Sequence, residues 1–185
     1  MRFDQLLELF AQQYIPLSHN NEKPKPHKTF YRIDAISTEN EFVRNINTAA
    51  SPALAVSCLV DAHTVSGGKS VEYMRTCYFL CKQVGSLTKN HKQDDEMAAE
   101  IKLVSLDNMV IDLLAWLRDY KRKHPNSQSL RGINLQDVEW ATIPMKYNGW
   151  WVCAVEFQQT VPISPCINEA LFINTNTDSN DNNNP

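Results

Sequence analysis

The segment Val71–Lys82 constrains the fold most, because its pattern predicts a β-strand that is apolar on both faces. Alternate residues of a strand point to opposite faces of its sheet. One face would carry Val71, Tyr73, Arg75, Cys77, Phe79 and Cys81, and the other Met74, Thr76, Tyr78 and Leu80. A strand with apolar residues on both faces is usually central in its sheet or covered by a partner. The segment therefore predicts a sheet protein, and it favours assembly with other chains.

Further strands are predicted on either side of this segment. Ala53–Ala62 is an apolar stretch of strand length, and Gly67-Gly68 suits the reversing loop between the two strands. Nearer the C-terminus, Leu135–Pro144 and Trp150–Val161 flank Asn148-Gly149, a dipeptide that strongly indicates a β-hairpin. A shorter strand is predicted from Thr29 to Ile36, where apolar and polar residues alternate.

Two helices are predicted. The longer one lies between the hairpins, with acidic residues at 94–96 and basic residues at 121–124, the arrangement that a helix dipole favours. Its apolar stripe consists of Leu106, Val110, Leu113, Leu114 and Leu117. Ser105 is a candidate N-cap, so the segment is either one helix over 94–123 or two pieces, 94–104 and 105–123. The shorter helix, at the N-terminus, has on one face Phe3, Leu6, Leu7, Phe10 and Tyr14.

This order of elements predicts an α+β fold, an antiparallel β-sheet packed against one long helix plus a short N-terminal helix. We expect a single domain over 1–166, with a core that includes Phe79, Leu113, Leu117, Val155 and Phe157. Residues 18–28 contain two prolines and predict an exposed, extended loop. Residues 167–185 are rich in Asn and predict a flexible, disordered C-terminal tail, since they offer little to bury.

Composition narrows the class of protein. A chain of 185 residues with 43% hydrophobic and 21% charged residues suits one soluble, intracellular globular domain. It shows no apolar run long enough to span a bilayer and no signal peptide, so we expect no membrane contact. The net charge of −3 argues against overall electrostatic attraction to nucleic acid. Five cysteines without a close CxxC pair favour reduced, buried thiols.

No constellation typical of a catalytic, cofactor or metal site is recognisable, so we expect neither an enzyme nor a bound cofactor. The five histidines are isolated in predicted loops or at element ends, which favours solvated positions. Cys77 and Cys81 would lie about 13 Å apart on a strand, too far to share a zinc ion. Residues 66–70 (Ser-Gly-Gly-Lys-Ser) have His63 where a phosphate-binding loop needs its first Gly, which indicates a hairpin loop instead.

Two groups of residues are candidates for contact with other molecules. The basic cluster Arg118, Lys121, Arg122 and Lys123 either complements the negative end of the helix dipole or faces a DNA channel or an acidic partner surface. Trp150 and Trp151 are adjacent on a predicted strand and must point to opposite faces. One is expected under the long helix and the other on the outer face or in a subunit contact, where Trp is enriched. With Tyr78, they form the candidate subunit interface.

The element order resembles that of tail-terminator and tail-completion proteins of tailed bacteriophages. The closing stretch 147–157 (Tyr-Asn-Gly-Trp-Trp-Val-Cys-Ala-Val-Glu-Phe), followed by Pro162 and Cys166, is also similar to small neck or ring proteins in phages of gut Bacteroidetes. The resemblance covers about residues 1–166, and such proteins carry no catalytic motif that could be matched. The loop at 18–28 and the Asn-rich tail depart from the minimal pattern of these proteins.

The resemblance implies a structural virion subunit, assembled in the host cytoplasm. Its copies would close into a homo-oligomeric ring, commonly six- or twelve-fold, at the head–tail junction, with DNA passing through the lumen. Its partners would be neighbouring neck, portal-side and tail proteins, with transient non-specific contact to DNA. The alternatives are a scaffold subunit of a related injection apparatus and a small binding module. A small enzyme with a site assembled from scattered residues is disfavoured by the missing motifs.

Overall fold

The structure, a computed structural model, describes residues 1–21, 26–33, 50–57, 61–64, 70–82, 92–144 and 150–162. Its elements are α1 (Phe3–Gln13), β1 (Phe30–Ile33), β2 (Ala53–Ser57), β3 (Asp61–Thr64), β4 (Ser70–Lys82), α2 (Lys92–Lys123), a 3₁₀-helix (Gln128–Leu130), β5 (Glu139–Pro144) and β6 (Trp150–Pro162). The α+β class is confirmed, and α2 is one continuous helix. The predictions for the Gly67-Gly68 loop, the Asn148-Gly149 turn and the tail at 167–185 lie outside the described residues.

The strands form one sheet in the order β1-β2-β4-β6-β5, and β3 also pairs with β4. β4 and β6 pair antiparallel along their whole length, from Ser70 opposite Pro162 to Lys82 opposite Trp150. β4 is therefore central, as its two apolar faces predict. β1 and β2 run parallel while the other pairs are antiparallel, so the sheet is mixed rather than wholly antiparallel as expected.

The strand predicted over 53–62 consists of two short strands on the same edge of β4. Ala53 lies opposite Leu80, but Asp61 lies opposite Met74. The pairing register thus shifts by two residues between β2 and β3, which rules out one continuous ladder. β5 also begins later than predicted, at Glu139. The side chain of Asn134 accepts a hydrogen bond from the Gln136 N–H at 3.0 Å, a local turn that keeps the preceding residues out of the strand.

Both described helices pack on one face of the sheet, which we call the helix face. The five predicted core residues all have 0% exposure: Phe79, Leu113, Leu117, Val155 and Phe157. Aromatic rings from α1 reach the sheet directly, with Phe3 edge-on to Phe157 at 5.3 Å and Phe10 edge-on to Phe79 at 6.5 Å. Burial of each such side chain stabilises the fold by about 1.5–3 kcal/mol. The apolar periodicities of the two helices thus predict the core correctly.

The opposite side of the sheet, which we call the outer face, carries a second apolar cluster. Its buried members are Ala53, Ala55, Leu80, Trp150 and Val152, and partly buried Tyr31, Ile33 and Tyr78 pack against them. Trp151 instead packs against the main core on the helix face. The two tryptophans therefore point to opposite faces, as the strand pattern predicts.

The segment predicted as an exposed loop at 18–28 is anchored to the fold where the structure describes it. His19 is buried, and its Nδ1 accepts hydrogen bonds from the backbone N–H groups of Thr29 and Phe30 at 3.1 and 3.3 Å. Asn20 and His27 form a β-bridge. The expectation that every histidine is solvated is therefore wrong for His19, because its ring supplies the acceptor that the start of β1 needs.

In the described part of the chain, no helix combines the length and the apolar character needed to cross a membrane.

Candidate functional site

The basic cluster predicted from the sequence lies on the last two turns of α2, and all four of its side chains are exposed. The chain then turns at Pro125 and returns through the 3₁₀-helix, and Arg131 joins Lys121 in lining one cavity. We call this set of five cations the basic surface: Arg118, Lys121, Arg122, Lys123 and Arg131. Arg131 lies outside the cluster in sequence, and only the folded path of the chain adds it.

Four of the five cations of the basic surface fall into two pairs with different partners. Arg118 and Lys121 donate hydrogen bonds to backbone carbonyls of the returning loop, at Leu135 (2.9 Å) and Ile133 (3.4 Å). Arg122 and Lys123 both bind the carboxylate of Asp119 at 2.6 Å. Among the described residues, Asp119 is the only carboxylate ion-paired with this surface. Five positive charges therefore face one negative partner, which leaves the surface strongly positive.

The neighbouring cations change the pKa of Asp119. Hydrogen bonds from Lys123 and then Arg122 hold the pKa of its carboxyl below the ordinary value. The Asp119 side chain is 39% exposed and its partners are more exposed still, so water and salt screen the pairs, and they add little to stability. The helix dipole supplies a second reason for cations here, since the C-terminal end of α2 carries partial negative charge.

Two adjoining cavities border the basic surface. The larger, of about 550 Å³, is lined by the end of α2 and the loop after it, including His124, Arg131 and Gly132. The smaller, of about 330 Å³, is lined by Arg118, Arg122 and residues 133–136. Lys121 lines both cavities. The cationic donors are ammonium and guanidinium groups, which suit phosphate or carboxylate oxygens.

The returning loop is fixed against β6 by Gly132. This residue has φ +74°, and a Cβ built on it would lie 1.9 Å from the carbonyl oxygen of Thr160. The Thr160 N–H in turn donates to the Gly132 carbonyl at 2.9 Å. Only glycine permits this approach, so Gly132 sets the position of Arg131 and of the larger cavity.

The three candidate interface residues are placed differently from one another. Trp150 has only 2% exposure within the single chain, so it does not present a surface to a partner. Its prediction as an interface residue is wrong, because the outer-face cluster already surrounds it. Tyr78 lies half-buried beside it on the outer face, and Trp151 lies half-buried on the helix face. Of the three, Tyr78 alone remains a candidate for contact on the outer face.

Exposed apolar side chains occur at positions that the sequence analysis did not single out as surface. Trp140 on the edge strand β5 is 42% exposed, and Val104 and Ile111, two turns apart on α2, are each 54% exposed. A helical stripe of seven-residue spacing beside the buried stripe is the signal that could have identified Val104 and Ile111. No such signal exists for Trp140, whose exposure depends on β5 being an edge strand.

The described cysteines are structural. Cys77, Cys81 and Cys153 are buried cysteines that form no disulfide bond, while Cys58 and Cys166 lie outside the described residues. Burial raises the pKa of Cys77, and the neighbouring Cys153 adds to the shift, so the thiol stays protonated. Within the described residues, no group of three or more His, Cys, Asp or Glu side chains is placed to hold a metal ion.

A comparison with protein-family models finds no match to this chain, and a comparison with curated proteins finds no significant relative. The phage resemblance therefore rests on the element order and on residues 147–157.

Proposed function

We propose that this chain is a structural subunit of a phage neck or tail, whose copies assemble into a ring at the head–tail junction through which DNA passes. The observation that carries the proposal is the outer face of the sheet. The five residues of its apolar cluster are already buried within the single chain, but Tyr31, Ile33 and Tyr78 at its margin are only half-buried and keep apolar and aromatic surface in contact with solvent. Apolar surface of this kind suits contact with another copy or a partner.

The edge of the sheet supports the same proposal. Among the described strands, β5 pairs only with β6, and it carries the exposed Trp140. If β5 paired with a strand of another subunit, the unpaired backbone N–H and C=O groups along its edge would gain hydrogen-bond partners. Trp is also enriched in subunit contacts. Contacts between two different patches of identical subunits generate closed rings when the rotation between subunits closes.

The basic surface supports contact with DNA in the lumen or with acidic neck, portal-side and tail proteins. Its excess positive charge attracts phosphates without reading bases, which suits DNA that must pass without being held. Such contact is expected to be weak and strongly dependent on salt. The virion location and the neck and tail partners follow from the same proposal.

Native mass spectrometry of the purified chain, with sedimentation velocity, tests the proposal. We expect a multimer, either alone or after addition of neck partners. Ile33→Lys on the outer face should reduce assembly, while Ile15→Lys, which changes an apolar residue with 86% exposure away from the sheet, should not. Circular dichroism must show that both variants are folded. A strictly monomeric wild-type protein in the presence of its neck partners would contradict the ring.

The alternatives predict other outcomes. A scaffold subunit of a related injection apparatus would also assemble, but with partners from that apparatus in place of phage neck proteins. A small binding module is favoured by one observation, the two cavities beside the basic surface. It would remain monomeric and bind DNA tightly at physiological salt with a sequence preference.

A further inference from the structure

A cavity of about 540 Å³ lies between the start of α1 and the helix face of the sheet, and Gln128 lines both this cavity and the larger one beside the basic surface. Three arginines line it, each from a different part of the chain: Arg2 before α1, Arg32 on β1 and Arg75 on β4. Among the described residues of its lining, Asp4 is the one carboxylate. Polar side chains of Gln128, Ser129 and Gln159 complete much of the wall.

Two of these arginines have carboxylate partners. Arg2 and Arg32 each donate to Asp4 at 2.9 Å, and Arg32 also pairs with Glu8 of α1. Burial alone would raise the pKa of Asp4, but the hydrogen bonds from both arginines outweigh it and hold the pKa below its ordinary value. The Asp4 carboxylate thus forms ion pairs with two guanidinium groups, those of Arg2 and Arg32.

Arg75 is held differently. Its Nε donates to the amide oxygen of Gln159 at 2.6 Å, and the Gln159 amide nitrogen donates to the Arg131 carbonyl at 2.8 Å. Gln159 is 7% exposed, so a buried neutral amide fixes the Arg75 guanidinium. Among the described residues, no carboxylate forms an ion pair with Arg75, and its two terminal nitrogens donate no hydrogen bond.

The Arg75 guanidinium therefore carries a positive charge that no described carboxylate contacts. Burial lowers the pKa of Arg75, with more distant Asp4 and Tyr73 opposing the shift, yet a guanidinium keeps its proton in proteins. A partly desolvated cation is costly unless an anion pairs with it. Counted over the described residues, three arginines against Asp4 and Glu8 leave one positive charge in excess around the cavity.

We propose that this cavity binds a phosphate group, with Arg75 as its central contact and Arg2 as a second donor. The donors reach the cavity from several elements rather than in one plane, which suits a tetrahedral oxyanion better than a planar carboxylate. Free phosphate and the phosphate of a mononucleotide offer the same chemistry, and the volume admits either. The site is independent of the ring, because it faces the helices and not the outer face.

Isothermal titration calorimetry tests the site, with inorganic phosphate and adenosine monophosphate added separately at constant ionic strength in chloride. The wild-type chain should bind saturably, and Arg75→Gln should bind at least about tenfold more weakly, the effect of losing a charge-assisted pair. Lys28→Gln, which removes an exposed positive charge that lines neither this cavity nor those beside the basic surface, should bind as the wild type does. Tighter binding of the mononucleotide identifies a nucleotide as the source, and equal binding identifies free phosphate.

Arg2→Gln provides a second variant should Arg75→Gln fold poorly. Its side chain is 74% exposed, so the change should spare the fold and still weaken phosphate binding. Thermal melting adds a readout of structure, since phosphate should raise the melting temperature of the wild type and of Lys28→Gln. The proposal is overturned if phosphate stabilises the wild type no more than chloride does. It is also overturned if Arg75→Gln and Arg2→Gln both bind phosphate as tightly as Lys28→Gln does.

Discussion

Glu139 and Glu156 lie directly opposite each other on β5 and β6, and both side chains are exposed. Like charges at directly opposite positions of an antiparallel pair are destabilising. The partner of Glu156 on its other side is Thr76 of β4, which offers no charge to offset the repulsion. The repulsion between Glu139 and Glu156 therefore destabilises the β5–β6 ladder locally.

Glu156→Gln should relieve this repulsion and raise the free energy of unfolding by about 0.2–1 kcal/mol at neutral pH. Urea denaturation measures the change. Glu139→Gln should give a similar gain, and the double variant should add little to either single change, because one substitution already removes the repulsion. Fully additive gains from the two changes would show that the residues do not interact.

Leu117→Asp should unfold the domain. Leu117 is fully buried between α2 and the sheet, and an unpaired buried carboxylate costs several kcal/mol against a total stability of about 5–15 kcal/mol. The matched control is Ile111→Asp on the exposed side of the same helix, which should leave the fold intact. Circular dichroism and thermal melting distinguish the two. Equal melting temperatures for both variants would refute the assigned buried face of α2.

Stability should decline in mild acid because of His19. Burial lowers the pKa of its ring, with Glu8 and the His27 backbone opposing and the charges of Lys28 and His27 adding to the decrease. The stabilisation is fully present above the unfolded pKa of about 6.5. As the pH falls below that value, the unfolded chain binds a proton that the folded ring resists, so stability falls until the lower folded pKa is reached.

Chemical denaturation at a series of pH values measures this decline. His19→Asn keeps a side-chain acceptor for the N–H groups of Thr29 and Phe30 but does not titrate, so its stability should change less between neutral and mildly acid pH. Parallel curves for wild type and variant would show that other groups determine the pH dependence.

Replacing Arg118, Lys121, Arg122 and Lys123 with Gln in one variant should leave the domain folded. Each is exposed, and each exposed charge contributes at most about 1 kcal/mol. DNA binding, measured by fluorescence anisotropy over a range of salt, should be weak in the wild type and weaker still in the variant. Asp119→Asn frees Arg122 and Lys123 from their shared carboxylate and should strengthen binding and steepen its salt dependence. Unchanged DNA binding in both variants would exclude this surface as the contact.

Gly132→Ala should destabilise the protein by at least about 2 kcal/mol, because a Cβ in the left-handed conformation is strained and this one meets the Thr160 carbonyl. Thermal melting measures the loss. Ser127→Ala, a change in the same loop at a residue outside the left-handed region, should have a much smaller effect. Similar losses would show that the close approach to β6 is readily relaxed.

The regular elements were predictable because their patterns are strong. The stripe Leu106–Leu117 repeats with helical period, and Val71–Lys82 alternates as a strand, so both were identified together with their buried faces. The class of fold followed from their order. The division of 53–62 into β2 and β3 was not predictable, because a two-residue shift of register leaves both parts apolar or strand-like in sequence.

The sites depended on contacts between distant parts of the chain, which periodicity does not reveal. Arg75 appeared as one polar residue on an apolar strand, and only the placement of α1 and Gln159 beside it forms a cavity. His19 looked like a loop residue, and only the path of β1 turns its ring into a buried acceptor. Trp150 and Trp151 were correctly predicted to point to opposite faces, but the burial of Trp150 depends on neighbours from β2 and β4.

The long β4–β6 ladder also determines how this chain must fold. It joins residues that are about 70 to 90 positions apart, with all of α2 between them. The entropy of closing that loop is lost before most of the ladder's contacts can form, so we expect slow, highly cooperative folding with a high contact order. A ribosome-bound fragment that ends before β6 would leave the central strand with one edge open. Newly made subunits would then be prone to edge-to-edge aggregation until synthesis of the last strand is complete.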